Sequence, residues 1–105
     1  MKVAVIGAGS WGTALALHLA RAGCAVTLWA REPEIVAGIR DERRNPLFLS
    51  EFPIGTEIAV SADAAAACAG AEAVVCVVPV QFARRVLRGL RPGVAADAIF
   101  VSASK

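Results

Sequence analysis

The run KVAVIGAGSWGTALALHL, residues 2–19, limits what this chain can fold into more than any other stretch. Four apolar residues, 3–6, lead into Gly7, Gly9 and Gly12 in the spacing G-x-G-x-x-G, and a helical pattern follows without interruption. The order reads as buried strand, glycine turn, helix. Each glycine has its own physical task in such a turn. Gly7 lets the chain leave the strand sharply, Gly9 bares the main chain so that an anionic group can come close, and Gly12 lets the helix lie tight against the strand. The helix start adds unpaired N–H groups and a partial positive charge. This combination suits the pyrophosphate of a dinucleotide.

The composition agrees with a sheet covered on both faces. Of the 105 residues, 57% are apolar and 19% charged, and strands buried on two faces read as continuous apolar runs. The length gives one domain with a real core. A net charge of +2 is too small to argue for nucleic acid or a membrane surface. Met1 and Lys2 before an uncharged run resemble a secretory signal. Against that, glycines interrupt the run at nucleotide-site spacing, no small-x-small cleavage site precedes a mature start, and Arg21 spoils the lipoprotein-like stretch before Cys24. No later uncharged stretch approaches the ~20 residues of a membrane span, so a soluble, cytoplasmic protein is expected. Cys24, Cys68 and Cys76 form no C-x-x-C pair, and the single His18 lies inside the first helix. They read as reduced, buried thiols and a helix imidazole rather than a metal or redox site.

Taken in order, the first helix runs from Trp11 to about Ala22, Gly23 stops it, and residues 25–29 form a second strand. A helix opens at Glu32-Pro33, with proline in its tolerated first turn, and continues to about Arg43. Residues 45–55 carry two prolines and a glycine and read as a long loop. A short third strand is expected over 57–60, then an alanine-rich helix capped by Ser61 or Asp63 and ending near Gly70. Residues 73–78, AVVCVV, form the most apolar strand and are expected at the centre of the sheet. Pro79 ends it, a helix covers 81–90, Pro92-Gly93 turn the chain, and 98–102 form a fifth strand. The alternation predicts a doubly wound parallel α/β sheet of the Rossmann type, order 3-2-1-4-5, with helices on both faces. Ligands of such sheets bind beyond the strand carboxyl ends where the order reverses. Two loops meet there, 7–12 and 79–82.

About twenty residues past the glycine turn, an NAD site usually carries an acid for the ribose 2′-OH, whereas an arginine suits a 2′-phosphate. This chain has Arg31 followed by Glu32. Arg31 offers a planar cation that can stack on adenine and pair with phosphate, or it is an exposed turn arginine. Glu32 either reaches a ribose or simply precedes Pro33 at a helix start. The pair favours NADPH, with NADH also accepted. Arg84, Arg85, Arg88 and Arg91 crowd the fourth helix, as a solvated face or as a positive field around an anionic ligand. Trp11, Phe48 and Phe82 each read equally as packing or as ligand wall.

Five strings together resemble the bacterial NAD(P)-dependent glycerol-3-phosphate dehydrogenases: GAGSWGTALA (7–16), VTLWAR (26–31), NPLFL (45–49), VPVQF (78–82) and VSASK (101–105). The resemblance implies hydride transfer between dihydroxyacetone phosphate and sn-glycerol 3-phosphate, a precursor of phospholipids. It implies that Ser10 and Trp11 contact the cofactor beside the glycines, that Arg31 meets its ribose phosphate, and that Phe48 and Phe82 lie near it. Lys105 matches a lysine after the fifth strand that touches both cofactor and the small phosphorylated substrate. A cation there would hold an anionic substrate and polarise its carbonyl. Family members continue into a helical substrate domain with a second, proton-carrying lysine, and the full enzyme is expected to be a homodimer. Residues 1–105 then form the cofactor-binding part, inactive alone. Two rivals stay open: another reductase of the ketopantoate or 6-phosphogluconate type, and a dinucleotide-sensing module without chemistry.

Overall fold

The computed structural model describes residues 1–103, apart from the side chains of Val80 and Leu90. Five parallel strands form one sheet: β1 (Lys2–Ile6), β2 (Ala25–Trp29), β3 (Ala59–Ser61), β4 (Ala73–Cys76) and β5 (Ile99–Ser102). Their order is β3-β2-β1-β4-β5. Helices α1 (Ser10–Arg21), α2 (Pro33–Glu42), α3 (Ala64–Cys68) and α4 (Val80–Leu90) make the crossovers.

The period of two splits each apolar run between two cores. In β1, Val3 and Val5 point to the layer holding Ala16 of α1 and Ile35, Val36 and Ile39 of α2. Ala4 and Ile6 point the other way, to Ala67 and Cys68 of α3 and Val86 of α4. Strand β4 divides alike, Ala73 and Val75 to the first core, Val74 and Cys76 to the second. The doubly wound architecture and strand order are those the sequence predicts.

The centre of the sheet is β1, not the strand expected over 73–78, which ends at Cys76 and sits one place off centre beside the edge strand β5. Apolar content misleads here because β1 and β4 are both flanked by strands and both covered by helices, so either reads as a central strand. Strand β5 buries none of its residues, and Ile99, Phe100 and Val101 are exposed.

The third strand lies at 59–61 rather than 57–60, and Arg43 explains the shift. It ends α2 in the left-handed region, φ 56°. Its guanidinium donates to the Ile54 carbonyl at 3.1 Å and to those of Gly55 and Ile58, while its own carbonyl accepts from Ile54 N–H at 2.7 Å. With Ile58 N–H closing back on Gly55 O, residues 55–58 form a clamped turn, and pairing with β2 starts at Ala59. At α3 the cap is Asp63, whose carboxylate accepts from Ala66 N–H at 3.2 Å; Ser61 instead bonds to Asp63.

Candidate dinucleotide site

The turn out of β1 has the geometry its glycines require. Gly7 adopts φ +119°, a region in which a side chain is strained. A Cβ on Gly12 would lie 1.8 Å from Gly7 O, so α1 packs on the turn only because that Cβ is missing. A Cβ on Gly9 would meet no protein atom within 4 Å. The vacancy at Gly9 therefore faces open space rather than a packing partner. Gly9 is also the N-cap of α1 and brings no side-chain acceptor to its first-turn N–H groups. They are left for a ligand.

In front of that helix end is a cavity of about 270 Å³. Its lining joins Gly7–Gly12 with Pro79 and Phe82 of the predicted 79–82 segment, and with Val77 and Val78 before it, at the point where the strand order reverses. Gly7, Gly9, Ser10, Trp11, Gly12, Arg31, Phe48 and Phe82 all reach it. Lys105 lies outside the described residues. Trp11 is 56% exposed on the rim, and Phe48 is 36% exposed.

Arg31 extends over the Phe82 ring, its guanidinium carbon 4.5 Å from the centroid, a cation–π distance. That contact bridges the exit of β2 and the first turn of α4. Glu32 lines the same cavity and is also the N-cap of α2, its carbonyl accepting from Ile35 and Val36 N–H. Glu32 is thus the helix start the sequence predicts, at a position that also faces the cavity.

Two site residues escape a sequence reading. Trp29, buried, forms part of the cavity wall and donates its indole N–H to Ala62 O at 3.0 Å. Asn45, wholly buried, ties the glycine turn to the loop that carries Phe48. The Asn-Pro pair does signal a turn, but its bond to residue 8 spans 37 positions. Of the other candidates, His18 is exposed on α1, and Cys68 and Cys76 are buried in the α3–α4 core. Among the described residues no three His, Cys, Asp or Glu side chains come together as a metal site, and no helix is long and apolar enough to cross a membrane.

A doubly wound sheet with a cap-free helix start opening on this cavity defines a dinucleotide-binding α/β domain. The chain belongs to a specific family of such domains, described as NAD-dependent glycerol-3-phosphate dehydrogenase N-terminus, whose model matches residues 2–105. A glycerol-3-phosphate dehydrogenase [NAD(P)+] of Citrifermentans bemidjiense is 52% identical over 104 residues, 99% of this chain and 31% of its own. Among solved structures, glycerol-3-phosphate dehydrogenase from Coxiella burnetii superposes with TM-score 0.92 at 34% identity, over 99% of this chain and 32% of that one. A ketopantoate reductase from Ralstonia eutropha superposes with TM-score 0.84 at 30% identity, over 100% and 34%. The chain thus spans about a third of the length of the curated relatives it matches.

Proposed function

We propose that residues 1–105 form the cofactor-binding part of an NAD(P)-dependent glycerol-3-phosphate dehydrogenase that favours NADPH and also accepts NADH. One observation carries this reading: a single cavity joins the bare helix start of α1, the cationic Arg31 and Phe82 in the first turn of α4 at the reversal of strand order. The cofactor, when bound, supplies the hydride exchanged between dihydroxyacetone phosphate and sn-glycerol 3-phosphate. The protein's part is placement and charge. First-turn N–H groups of α1 hold the pyrophosphate, with Gly9 leaving room for its oxygens. Arg31, exposed and therefore able to leave Phe82, meets a ribose 2′-phosphate with a planar fork of donors. Trp11, Phe48 and Phe82 supply apolar walls that limit water around the reacting end. Lys105 holds the phosphorylated substrate and polarises its carbonyl. The proton-carrying lysine and most of the substrate pocket belong to a further helical domain of the enzyme.

The test is Arg31→Asp in the intact protein, titrated with NADPH and NADH in parallel. Losing a charge-assisted contact and adding a carboxylate beside the phosphate should weaken NADPH binding about tenfold or more. NADH binding should change much less. Equal losses for both cofactors overturn the assignment of Arg31 and the NADPH preference with it.

A further inference from the structure

We infer that Asn45 is a positioning residue for the dinucleotide, holding the glycine turn and the Phe48 wall at one fixed separation; this rests on the dinucleotide reading above. Its side chain is 0% exposed, and every hydrogen-bonding position of the amide is used. Nδ2 donates to Ala8 O at 2.8 Å and to Thr13 Oγ1 at 3.0 Å. Oδ1 accepts from the N–H groups of Leu47 and Phe48, each at 3.0 Å. Ala8 lies between the first two glycines, Thr13 is on α1 directly after the third, and Phe48, from a separate loop, lines the same cavity. One planar group therefore joins two walls of the cavity that no shared element connects. Thr13 completes the hub, since its hydroxyl donates to the same Ala8 carbonyl at 3.3 Å. A saturated, buried network of this kind fixes geometry, because any slip leaves polar atoms without partners.

The simpler alternative gives Asn45 only a local task, closing the turn of its own loop through Leu47 and Phe48. The two halves of the amide separate these cases. Asn45→Asp keeps the oxygen that accepts from Leu47 and Phe48 but loses both donors and sets a carboxylate against Ala8 O. It therefore uncouples the glycine turn while leaving the loop's own turn in place. In the intact protein, with circular dichroism and melting to establish folding, Asn45→Asp should raise the Kd for NADPH about tenfold. The KM for NADPH should rise in step, while kcat at saturating cofactor and the KM for dihydroxyacetone phosphate hold.

A double-mutant cycle with Phe48→Ala adds the decisive reading. If Asn45 acts by placing Phe48, the same substitution should cost about threefold or less once that ring is gone. Additive losses, or an unchanged Kd in folded Asn45→Asp, overturn the proposal. Should Asn45→Asp fail to fold, the Thr13 pair decides: Thr13→Ser, which keeps the hydroxyl, should bind NADPH like the parent, and Thr13→Val should bind it more weakly. Equal affinity of the Ser and Val variants overturns the proposal as well. Failure of the unsubstituted protein to bind NADPH or NADH would instead remove the dinucleotide reading itself.

Discussion

Two glycines three residues apart, Gly9 and Gly12, make opposite demands on a methyl group. Position 12 has no room for one, because its Cβ would sit 1.8 Å from Gly7 O, whereas position 9 has empty space within 4 Å. Gly12→Ala gains about 1 kcal/mol of helix propensity but must push α1 off the turn, and overpacking of this kind costs about 1–3 kcal/mol or more. Steric displacement wins, so Gly12→Ala should lower the melting temperature. Gly9 has φ −72° and ψ −170°, a conformation open to any residue. Gly9→Ala should therefore leave stability unchanged or raise it by up to about 1 kcal/mol. Its effect falls on the ligand, with NADPH affinity down by about tenfold or more as the methyl occupies the pyrophosphate's approach. Thermal melting beside fluorescence titration separates the two. A Gly9→Ala protein that binds normally would place the pyrophosphate elsewhere.

At the scale of elements, sequence reading succeeded where the cause is local and failed where it is distant. Strand, glycine turn and helix are each written in neighbouring residues, so β1, α1 and β2 fall within a residue or two of expectation. The turn at 55–58 is decided by Arg43, more than ten positions away, which no window over 57–60 contains. The site divides alike. The glycines announce themselves by spacing and residues 79–82 by following the fourth strand of the predicted order, while Asn45 and Trp29 gain their places through bonds spanning more than thirty residues. The Arg43 clamp can be tested against its own backbone strain. Arg43→Gly would relieve a left-handed conformation worth about 1 kcal/mol or somewhat more. It would also remove three carbonyl contacts from a charged donor, each worth about 1.5–3 kcal/mol when fully sheltered. Arg43 is half-buried, so the lower end of that range applies, yet three bonds still exceed one strained φ. Arg43→Gly should be less stable by about 3 kcal/mol in urea denaturation and cleave faster within 44–58 under limited proteolysis. Greater stability than the parent would mean the clamp contributes nothing.

Across the whole molecule, the two cores on opposite sides of the sheet share no side chain, yet one continuous sheet joins them, so they should open as one cooperative unit. The cysteines report on that unity. Cys68 and Cys76 lie in the α3–α4 core at 0% and 2% exposure, whereas Cys24 is half-buried beside the α1–α2 core. Burial first, and the neighbouring Cys76 second, push the Cys68 thiol above its ordinary value. The reactive thiolate is thus scarce as well as shielded in the folded protein. A disulfide reagent at mild alkaline pH should label Cys24 quickly and the other two only as fast as the fold opens. Adding urea below the unfolding midpoint should accelerate the slow pair together. The raised thiol also sets a direction for stability. Folded Cys68 keeps its proton at pH values where the unfolded chain has released it. Its contribution is therefore intact below about pH 8.5 and declines as pH rises beyond that point. Replacing Cys68 with alanine should flatten that alkaline decline, at the expense of a small cavity beneath α3. Labelling of all three thiols at one fast rate in the folded protein would show that the α3–α4 face opens independently of the strands beneath it.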